Sequence, residues 1–165
     1  MGNDMYEIRK TTIEDLDSLR KIFSHAREQM KEDGNPDQWK DDRPDEQLIL
    51  QDIAKGNSYV VIAKGKIVGT FAFIVGVDPT YLKIDGAWLN DDEYGTIHRI
   101  ASDGTTSGVF KAVTEYVESF GVDIRIDTHQ NNRRMLHLIE QNGFIRCGII
   151  ITDDGTPRIA FQKIV

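Results

Sequence analysis

The sequence has a single cysteine, Cys147, so the chain cannot form an intramolecular disulfide bond. It also lacks any apolar run that approaches the length of a membrane-spanning helix. The start of the chain, MGNDMYEIRK, has no apolar region of the kind that defines a signal peptide. These absences predict a cytoplasmic protein with no membrane association.

Basic residues do not outnumber acidic residues in this chain. The chain carries 20 Lys and Arg against 27 Asp and Glu, a net charge of −7, which argues against nucleic acid as its main partner. The four histidines and one cysteine show no metal-ligand spacing, so no metal site is predicted. With 165 residues, of which 39% are hydrophobic, the chain suits one domain spanning residues 1–165.

Apolar spacing and turn residues predict four helices and seven strands. The strands are Tyr6–Lys10, Ser58–Ala63, Ile67–Val77, Tyr94–Ala101, Val122–His129, Ile145–Thr152 and Arg158–Ile164. One helix starts after Thr12 and ends before Gly34, a second runs from Asp45 to Gly56, a third from Thr106 to Phe120, and a fourth from Asn132 to Asn142. An irregular excursion, 78–93, interrupts the order, and the loop 38–43 carries Trp39.

The order of these elements sets the fold class. The strand–helix–strand unit over residues 94–129 should place two parallel strands side by side. The remaining strands should pair antiparallel. We therefore predict an α/β (α+β) domain with a mixed, mostly antiparallel central sheet and helices on both faces.

One strand-to-helix turn is suited to an anion. After the strand that starts at Tyr94, the sequence runs SDGTTSGVFK and enters a helix. The first amides of a helix have no internal partner and its dipole adds about half a positive charge, which favours a phosphate. Neither a Walker loop nor a dinucleotide-binding glycine motif is present. An ordinary capped turn is the alternative interpretation.

The element order, this turn and the later run NRRMLHLIEQNGF together resemble the GNAT superfamily of acetyl-CoA-dependent N-acetyltransferases, over nearly the whole chain. The resemblance implies that acetyl-CoA is the co-substrate and that the turn amides hold its pyrophosphate. It also implies that Asn132 contacts the cofactor and that Ile100 and Ala101 bond the pantetheine arm. The predicted turn residues are Thr105, Thr106, Ser107, Gly108, Val109, Phe110 and Lys111.

Three positions depart from the family pattern. The turn motif of the family reads Arg/Gln-x-x-Gly-x-Gly/Ala, whereas this chain has Thr105 at the first position and Phe110 at the last. The family often carries a tyrosine as general acid seven residues after the asparagine, where this chain has Ile139. The pattern therefore indicates an atypical member.

The strand 122–129 carries a charged face, Asp123, Arg125, Asp127 and His129, where a covered strand should be apolar on both sides. Open sheets bind ligands at the carboxyl ends of parallel strands. Asp127 is therefore a candidate general base with His129 as partner or substitute, and the resemblance places an acidic residue at the same position. An Arg125–Asp127 ion pair at a solvated edge is the alternative.

Candidates for the remaining roles lie in other segments of the sequence. Tyr94, at the mouth of the excursion, is the favoured substitute for the general acid. His98 and Trp39 are candidate substrate-contacting residues; a structural histidine and an aromatic that anchors its loop are the alternatives.

The predicted function is acetyl transfer from acetyl-CoA to a primary amine, on a small molecule or a peptide. A non-catalytic acyl-CoA-binding or regulatory module on the same fold is the alternative, and a plain interaction domain without a cofactor is a third possibility. The acidic, aromatic excursion 78–93 is a candidate contact for a homodimer.

Overall fold

The computed structural model describes residues 5–36, 38–39 and 43–165. This part of the chain contains four α-helices and eight β-strands. The helices are α1 (Leu16–Glu32), α2 (Glu46–Ala54), α3 (Val109–Glu118) and α4 (Arg133–Gln141). The strands are β1 (Tyr6–Lys10), β2 (Ser58–Ala63), β3 (Lys66–Val75), β4 (Asp85–Gly86), β5 (Tyr94–Ser102), β6 (Asp123–Thr128), β7 (Ile145–Ile151) and β8 (Pro157–Lys163). None of the described helices is both long and apolar enough to cross a membrane.

The eight strands form one sheet in the order β1-β2-β3-β5-β6-β8-β7-β4. Strands β5 and β6 are parallel, and the other described neighbours pair antiparallel. The predicted mixed, mostly antiparallel sheet is therefore confirmed. Strand β4 was not predicted: it lies within the excursion and pairs Asp85 with Ile149 and Gly86 with Gly148 at the sheet edge.

Helices cover both faces of the sheet, as predicted. Helices α3 and α4 pack on one face, where Val113, Val117 and Ile139 join sheet residues such as Ile124 and Phe161 in the larger core. Helices α1 and α2 cover part of the other face, where Leu19, Ile22 and Ile49 pack against Val60. A third, smaller cluster lies under the excursion and contains Tyr81 and Tyr94.

Helix ends follow local chemistry. The Asp45 side chain caps α2 by accepting a hydrogen bond from the Leu48 amide at 2.8 Å. Gly143 closes α4 with φ +87°, and the Phe144 amide donates back to Ile139 O at 3.3 Å. Helix α3 begins at Val109 rather than at the predicted Thr106, because Gly108 takes φ +80°, which a right-handed helix does not allow.

Strands β5 and β6 separate soon after they meet. Their pairing covers Tyr94–Asp123, Gly95–Ile124 and Thr96–Arg125, and neither strand pairs with the other beyond these residues. On its other side β5 carries a bulge, because Thr70 pairs with Ala101 and Ala72 with His98. Phe71 therefore faces two residues, Arg99 and Ile100, and Arg99 has φ +53°. The divergence opens a gap in the middle of the sheet.

Candidate active site

A cavity of about 200 Å³ lies in the gap between the diverging strands. Its lining includes five residues that the sequence analysis singled out: Trp39, His98, Ile100, Asp127 and Asn132. A larger cavity of about 450 Å³ adjoins it and shares Gln38, Trp39, His98, Arg99, Asp127, Thr152 and Arg158 with it. The two form one cleft at the carboxyl end of the only parallel strand pair among the described strands, as expected for a ligand site in an open sheet.

Asp127 lies in the wall of both cavities. The Tyr81 hydroxyl donates a hydrogen bond of 2.6 Å to Asp127 Oδ2. Burial raises the pKa of Asp127 above its ordinary value, against the lowering effects of nearby His98 and of the Tyr81 hydrogen bond. A partly buried carboxylate with a raised pKa is a suitable proton acceptor.

Tyr81 is buried, with 2% of its surface exposed, and its ring stacks on that of Tyr94 at 6.3 Å. Burial and the adjacent Asp127 carboxylate raise the pKa of Tyr81 well above its usual range, so its hydroxyl keeps its proton. The Trp88 indole donates to Tyr81 O at 2.9 Å and fixes the excursion around it. Tyr81 therefore orients Asp127 as a hydrogen-bond donor.

His98 is held by a second carboxylate. Its Nε2 lies 2.7 Å from Asp78 Oδ2. Burial alone would raise the pKa of Asp78, but hydrogen bonds from His98 and Thr80 outweigh it and lower the pKa to about 2. In a regular strand the neighbouring side chains of His98 and Arg99 would point to opposite faces, but the bulge lets both line the same cavity.

Gln38 forms hydrogen bonds with several polar groups at one end of the gap. Its Oε1 accepts hydrogen bonds from Asn132 Nδ2 at 3.1 Å and from Thr128 Oγ1 at 3.2 Å. Asn132 also caps α4, because its Oδ1 accepts from the Met135 amide at 3.1 Å. Trp39, next in sequence, packs edge-on against Phe23 at 5.6 Å while it lines the cavity, so it both anchors its loop and faces the cleft.

Two predicted catalytic residues lie apart from the cleft. His129 is buried, and its Nδ1 accepts a hydrogen bond from the Asn131 amide at 3.0 Å. The Tyr94 hydroxyl accepts from the Asp78 amide at 2.8 Å, and Tyr94 lines a separate depression of about 410 Å³. The structure thus brings Asp127 to the cleft and does not bring His129 or Tyr94 into its described lining.

The charged face of β6 is covered by the excursion rather than solvated. The Arg125 guanidinium lies between the rings of Trp88 and Tyr94, 4.0 and 3.8 Å from their centroids, and its Nη2 donates to Asn90 O at 3.0 Å. Arg125 and Asp127 form no ion pair with each other. The alternative of an Arg125–Asp127 pair is therefore wrong.

The turn between β5 and α3 contains donors that are suited to an anion. Glycines at 104 and 108 have φ of +76° and +80°, and a β-carbon on Gly108 would meet no atom within 4 Å. The Thr106 hydroxyl oxygen is buried without a hydrogen-bond partner in the described part of the chain. Together with the first amides of α3, this orphaned hydroxyl gives a donor set that fits the phosphates of coenzyme A.

Both departures from the family turn pattern leave this donor set intact. Phe110 points into the core, where its ring packs 6.1 Å from that of Phe144, so its bulk does not obstruct the turn. The Thr105 amide and hydroxyl donate to Asp103 Oδ1 at 2.9 and 2.6 Å, which shapes the turn from within. The Ser107 carbonyl accepts a hydrogen bond from the Tyr6 hydroxyl, which ties the turn to β1.

The sequence did not predict Gln38, Asp78 or Arg158 as site residues, and for Tyr81 it left open whether the ring anchors its loop or lines an acceptor pocket. Gln38 and Tyr81 lie in irregular segments, and neither helical nor strand periodicity predicts where such side chains point. Arg158 was placed on a strand, but its position across from β6 depends on the order of strands in the sheet.

Comparison with solved structures gives the family. A GNAT-family acetyltransferase from Streptococcus agalactiae is 30% identical, with 97% of this chain and 95% of that chain covered and a TM-score of 0.89. A GNAT-family acetyltransferase from Listeria monocytogenes is 20% identical over 97% and 95%, with a TM-score of 0.72. An aminoglycoside acetyltransferase in complex with coenzyme A and kanamycin is 20% identical over 96% and 94%, with a TM-score of 0.66.

No protein-family model and no curated protein matches the sequence. The similarity to the Streptococcus agalactiae enzyme nevertheless covers nearly both full chains at 30% identity. The two later neighbours share the fold. The chain therefore belongs to the GNAT family of acetyl-CoA-dependent N-acetyltransferases.

Proposed function

We propose that the cleft between β5 and β6 binds a primary amine, and that Asp127 accepts its proton while the amine is acetylated. The observation that carries the proposal is the placement of Asp127, with a raised pKa, in the wall of a cleft that opens where the two parallel strands separate. Acetyl-CoA supplies the acetyl group, activated as a thioester. The test is acetylation of an amine panel by the wild-type protein and by an Asp127 variant.

The donor half of the site is built from β5, the turn and α3. We propose that the amides of Val109, Phe110 and Lys111 and the Thr106 hydroxyl hold the pyrophosphate, with Thr105, Ser107 and Gly108 shaping the turn. Ile100 and Ala101 lie on the part of β5 beyond its pairing with β6, which supports main-chain bonds from these residues to the pantetheine arm. Asn132 lines the cavity near the Gln38 amide, which supports the predicted contact with the cofactor.

In the acceptor half, Asp127 removes the proton of the ammonium or of the attacking amine. His98 and Trp39 line the cleft beside it and form the predicted acceptor contacts. An N–H of the Ile97–Ala101 stretch stabilises the oxyanion as charge develops on the acetyl oxygen. Holding the two reactants in one cleft supplies much of the remaining acceleration.

The thiol of coenzyme A has a pKa near 8.5, so its thiolate is a tolerable leaving group without a general acid. Tyr94 remains the predicted acid from the sequence, and its hydroxyl is bonded to the Asp78 amide outside the cleft lining. His129 remains the predicted partner of Asp127. The placement of Asp127 in the cleft favours it over His129 as the base.

Replacing Tyr81 with Phe should shift the pH dependence of the reaction. The Tyr81 hydroxyl stabilises the charged form of Asp127, so its loss raises the pKa of Asp127 further. We expect the acidic limb of the kcat/KM profile to move to higher pH, with the rate on the alkaline plateau retained within about threefold.

Tyr94→Phe is the matched control. It removes a hydroxyl from the same aromatic cluster without touching Asp127, so its acidic limb should stay in place. A large loss of kcat in Tyr94→Phe would instead support Tyr94 as the general acid. An unchanged profile in Tyr81→Phe would contradict the positioning role of Tyr81.

His25 should contribute to binding of the pyrophosphate. A β-carbon on Gly104 would lie 3.1 Å from His25 Nε2, so the imidazole lies against the turn. At the position where the family motif has Arg or Gln, this chain has Thr105. We expect His25→Ala to weaken coenzyme A binding about threefold to fivefold, as for the loss of one hydrogen bond at an exposed site, and to leave pantetheine binding unchanged.

Isothermal titration calorimetry with the two ligands measures this difference, and His137→Ala, an exposed histidine on α4, is the control. Equal loss of both ligands in His25→Ala would indicate a folding defect rather than a phosphate contact. Unchanged binding of coenzyme A would contradict the prediction.

The acceptor class expected from the sequence, a small-molecule or peptide amine, has parallels among the neighbours. One is the kanamycin complex above, and another is the NatC complex bound to Gag peptide and coenzyme A, at 12% identity. Those ligands belong to those proteins. A cytoplasmic location and a homodimer through the excursion stay predictions.

A further inference from the structure

Arg158 shares a sheet face with the proposed base. Strand β8 pairs with β6 so that Ala160 faces Asp127 and Ile159 faces Thr128. Because side chains alternate along a strand, Arg158 lies on the same face as Ala160 and therefore on the face of Asp127. Both Arg158 and Asp127 line the two cavities of the cleft.

Arg158 is a buried cation that forms no ion pair with the residues that the structure describes. It is 6% exposed, and its guanidinium donates to Thr156 Oγ1 at 2.7 Å, to Pro157 O at 3.0 Å and to Gln38 O at 3.5 Å. All three acceptors are neutral, and no carboxylate of the described residues forms an ion pair with the guanidinium within 4 Å. Asp127 and Asp154 lie farther away, where the positive charge of Arg158 exerts a lowering effect on the pKa of each carboxyl group. Burying an unpaired charge is costly, so such a group calls for an explanation.

Arg99, on the opposite wall of the same cleft, is neutralised in the usual way, by an ion pair with a carboxylate. Its Nε and Nη2 donate to the two oxygens of Asp52 at 2.7 and 2.8 Å. This bidentate pair neutralises Arg99 within the protein. Arg158 has the same chemistry and faces the same cleft, but no carboxylate of the described part of the chain forms an ion pair with it.

We propose that Arg158 binds a carboxylate of the acceptor, and that the acceptor is therefore an amine that also carries a carboxylate, namely a free amino acid. The inference rests on the proposed function and names the substrate class of that site. Asp127 then faces the amino group and Arg158 the carboxylate. The guanidinium supplies paired N–H donors that match the geometry of a carboxylate.

Among the other charged residues of the cleft, Asp78 is already bonded to His98, and Arg99 is already paired with Asp52. Two positions along a strand span about 6.6 Å, and a long arginine side chain bridges that distance toward a group held at Asp127. Of the two cavities of the cleft, Asp153 and Asp154 line only the larger one, and both residues are exposed. Asp154 Oδ1 accepts hydrogen bonds from Thr152 and Thr156. An acceptor with a second ammonium in place of the carboxylate would set like charge against Arg158.

The test compares acceptors that differ only in the carboxylate. The standard L-amino acids and their decarboxylated amines are assayed with acetyl-CoA, and their binding is measured by calorimetry in the presence of coenzyme A. We expect the wild-type protein to prefer an amino acid over its amine by about 10–100-fold in kcat/KM. Arg158→Gln should remove that preference through KM, and Arg158→Lys should restore part of it. Arg146→Gln, an exposed arginine on β7, is the control.

The outcomes separate the two claims. Acetylation of amines with no preference for the carboxylate overturns the inference and leaves the proposed function standing. An unchanged preference in correctly folded Arg158→Gln also overturns it. Binding of amino acids through Arg158 without acetylation supports the inference and overturns the proposed transfer. If no compound of either set binds or is acetylated, both are overturned.

Discussion

Asp127→Asn should lower kcat/KM for the best acceptor of the panel by about 10²-fold to 10⁴-fold, the usual contribution of a positioned proton acceptor. Asparagine keeps the size of the side chain and an oxygen for the Tyr81 hydroxyl, so the fold and the cleft should survive. It cannot take a proton from the amine. The rate should therefore depend on the small fraction of amine that is already unprotonated, and the acidic limb set by Asp127 should disappear.

Coenzyme A release measured across a range of pH tests this expectation. Asp17→Asn, on the exposed surface of α1, is the control for loss of one carboxylate. Coenzyme A binding by calorimetry shows whether the donor site stays intact in Asp127→Asn. Wild-type turnover with an unchanged pH profile in the variant would remove Asp127 from the mechanism.

Gly86→Ala should destabilise the protein by about 3 kcal/mol, because both the conformation and the available space are wrong for a side chain. Gly86 has φ +132°, and a β-carbon there would lie 2.2 Å from Cys147 O on β7. The substitution should push β4 off the sheet edge. Because β4 belongs to the excursion that carries Tyr81, we also expect a loss of activity.

Gly76→Ala separates the two causes. Gly76 has a similar φ of +119°, but a β-carbon there would meet no atom within 4 Å. It should therefore show only the cost of the backbone conformation, about 1 kcal/mol. Urea unfolding of the two variants measures the difference, and equal free energies of unfolding would show that the contact between β4 and β7 contributes little.

Most of the fold could be predicted because it depends on local patterns. A short apolar run bounded by turn residues marked β2, and helical spacing from Leu16 to Met30 marked α1. The short strand β4 could not be predicted, since two residues leave no periodic signal and its pairing with β7 depends on distant sequence. The start of α3 was misplaced because hydroxyl residues before Gly108 suit a helix start as well as a turn.

A site residue could be predicted where a charged side chain interrupted the apolar pattern of its strand. Asp127 stood out as a charge on a strand that should have been covered, and the structure places it in the cleft. Its Tyr81 partner is 46 positions away in sequence, and only the folded excursion brings the two together. Arg158 belongs to the cleft because β8 is the antiparallel neighbour of β6, a consequence of the sheet order.

The central claim is that this chain transfers acetyl groups through the cleft at Asp127. The most direct measurement is mass spectrometry of an amine library after incubation with acetyl-CoA and either the wild-type protein or Asp127→Asn. The account predicts an acetylated product with the wild-type protein and about 10²-fold less, or lower still, with the variant. Tight coenzyme A binding with no acetylated amine from the wild-type protein would contradict it, and would favour a non-catalytic acyl-CoA-binding module.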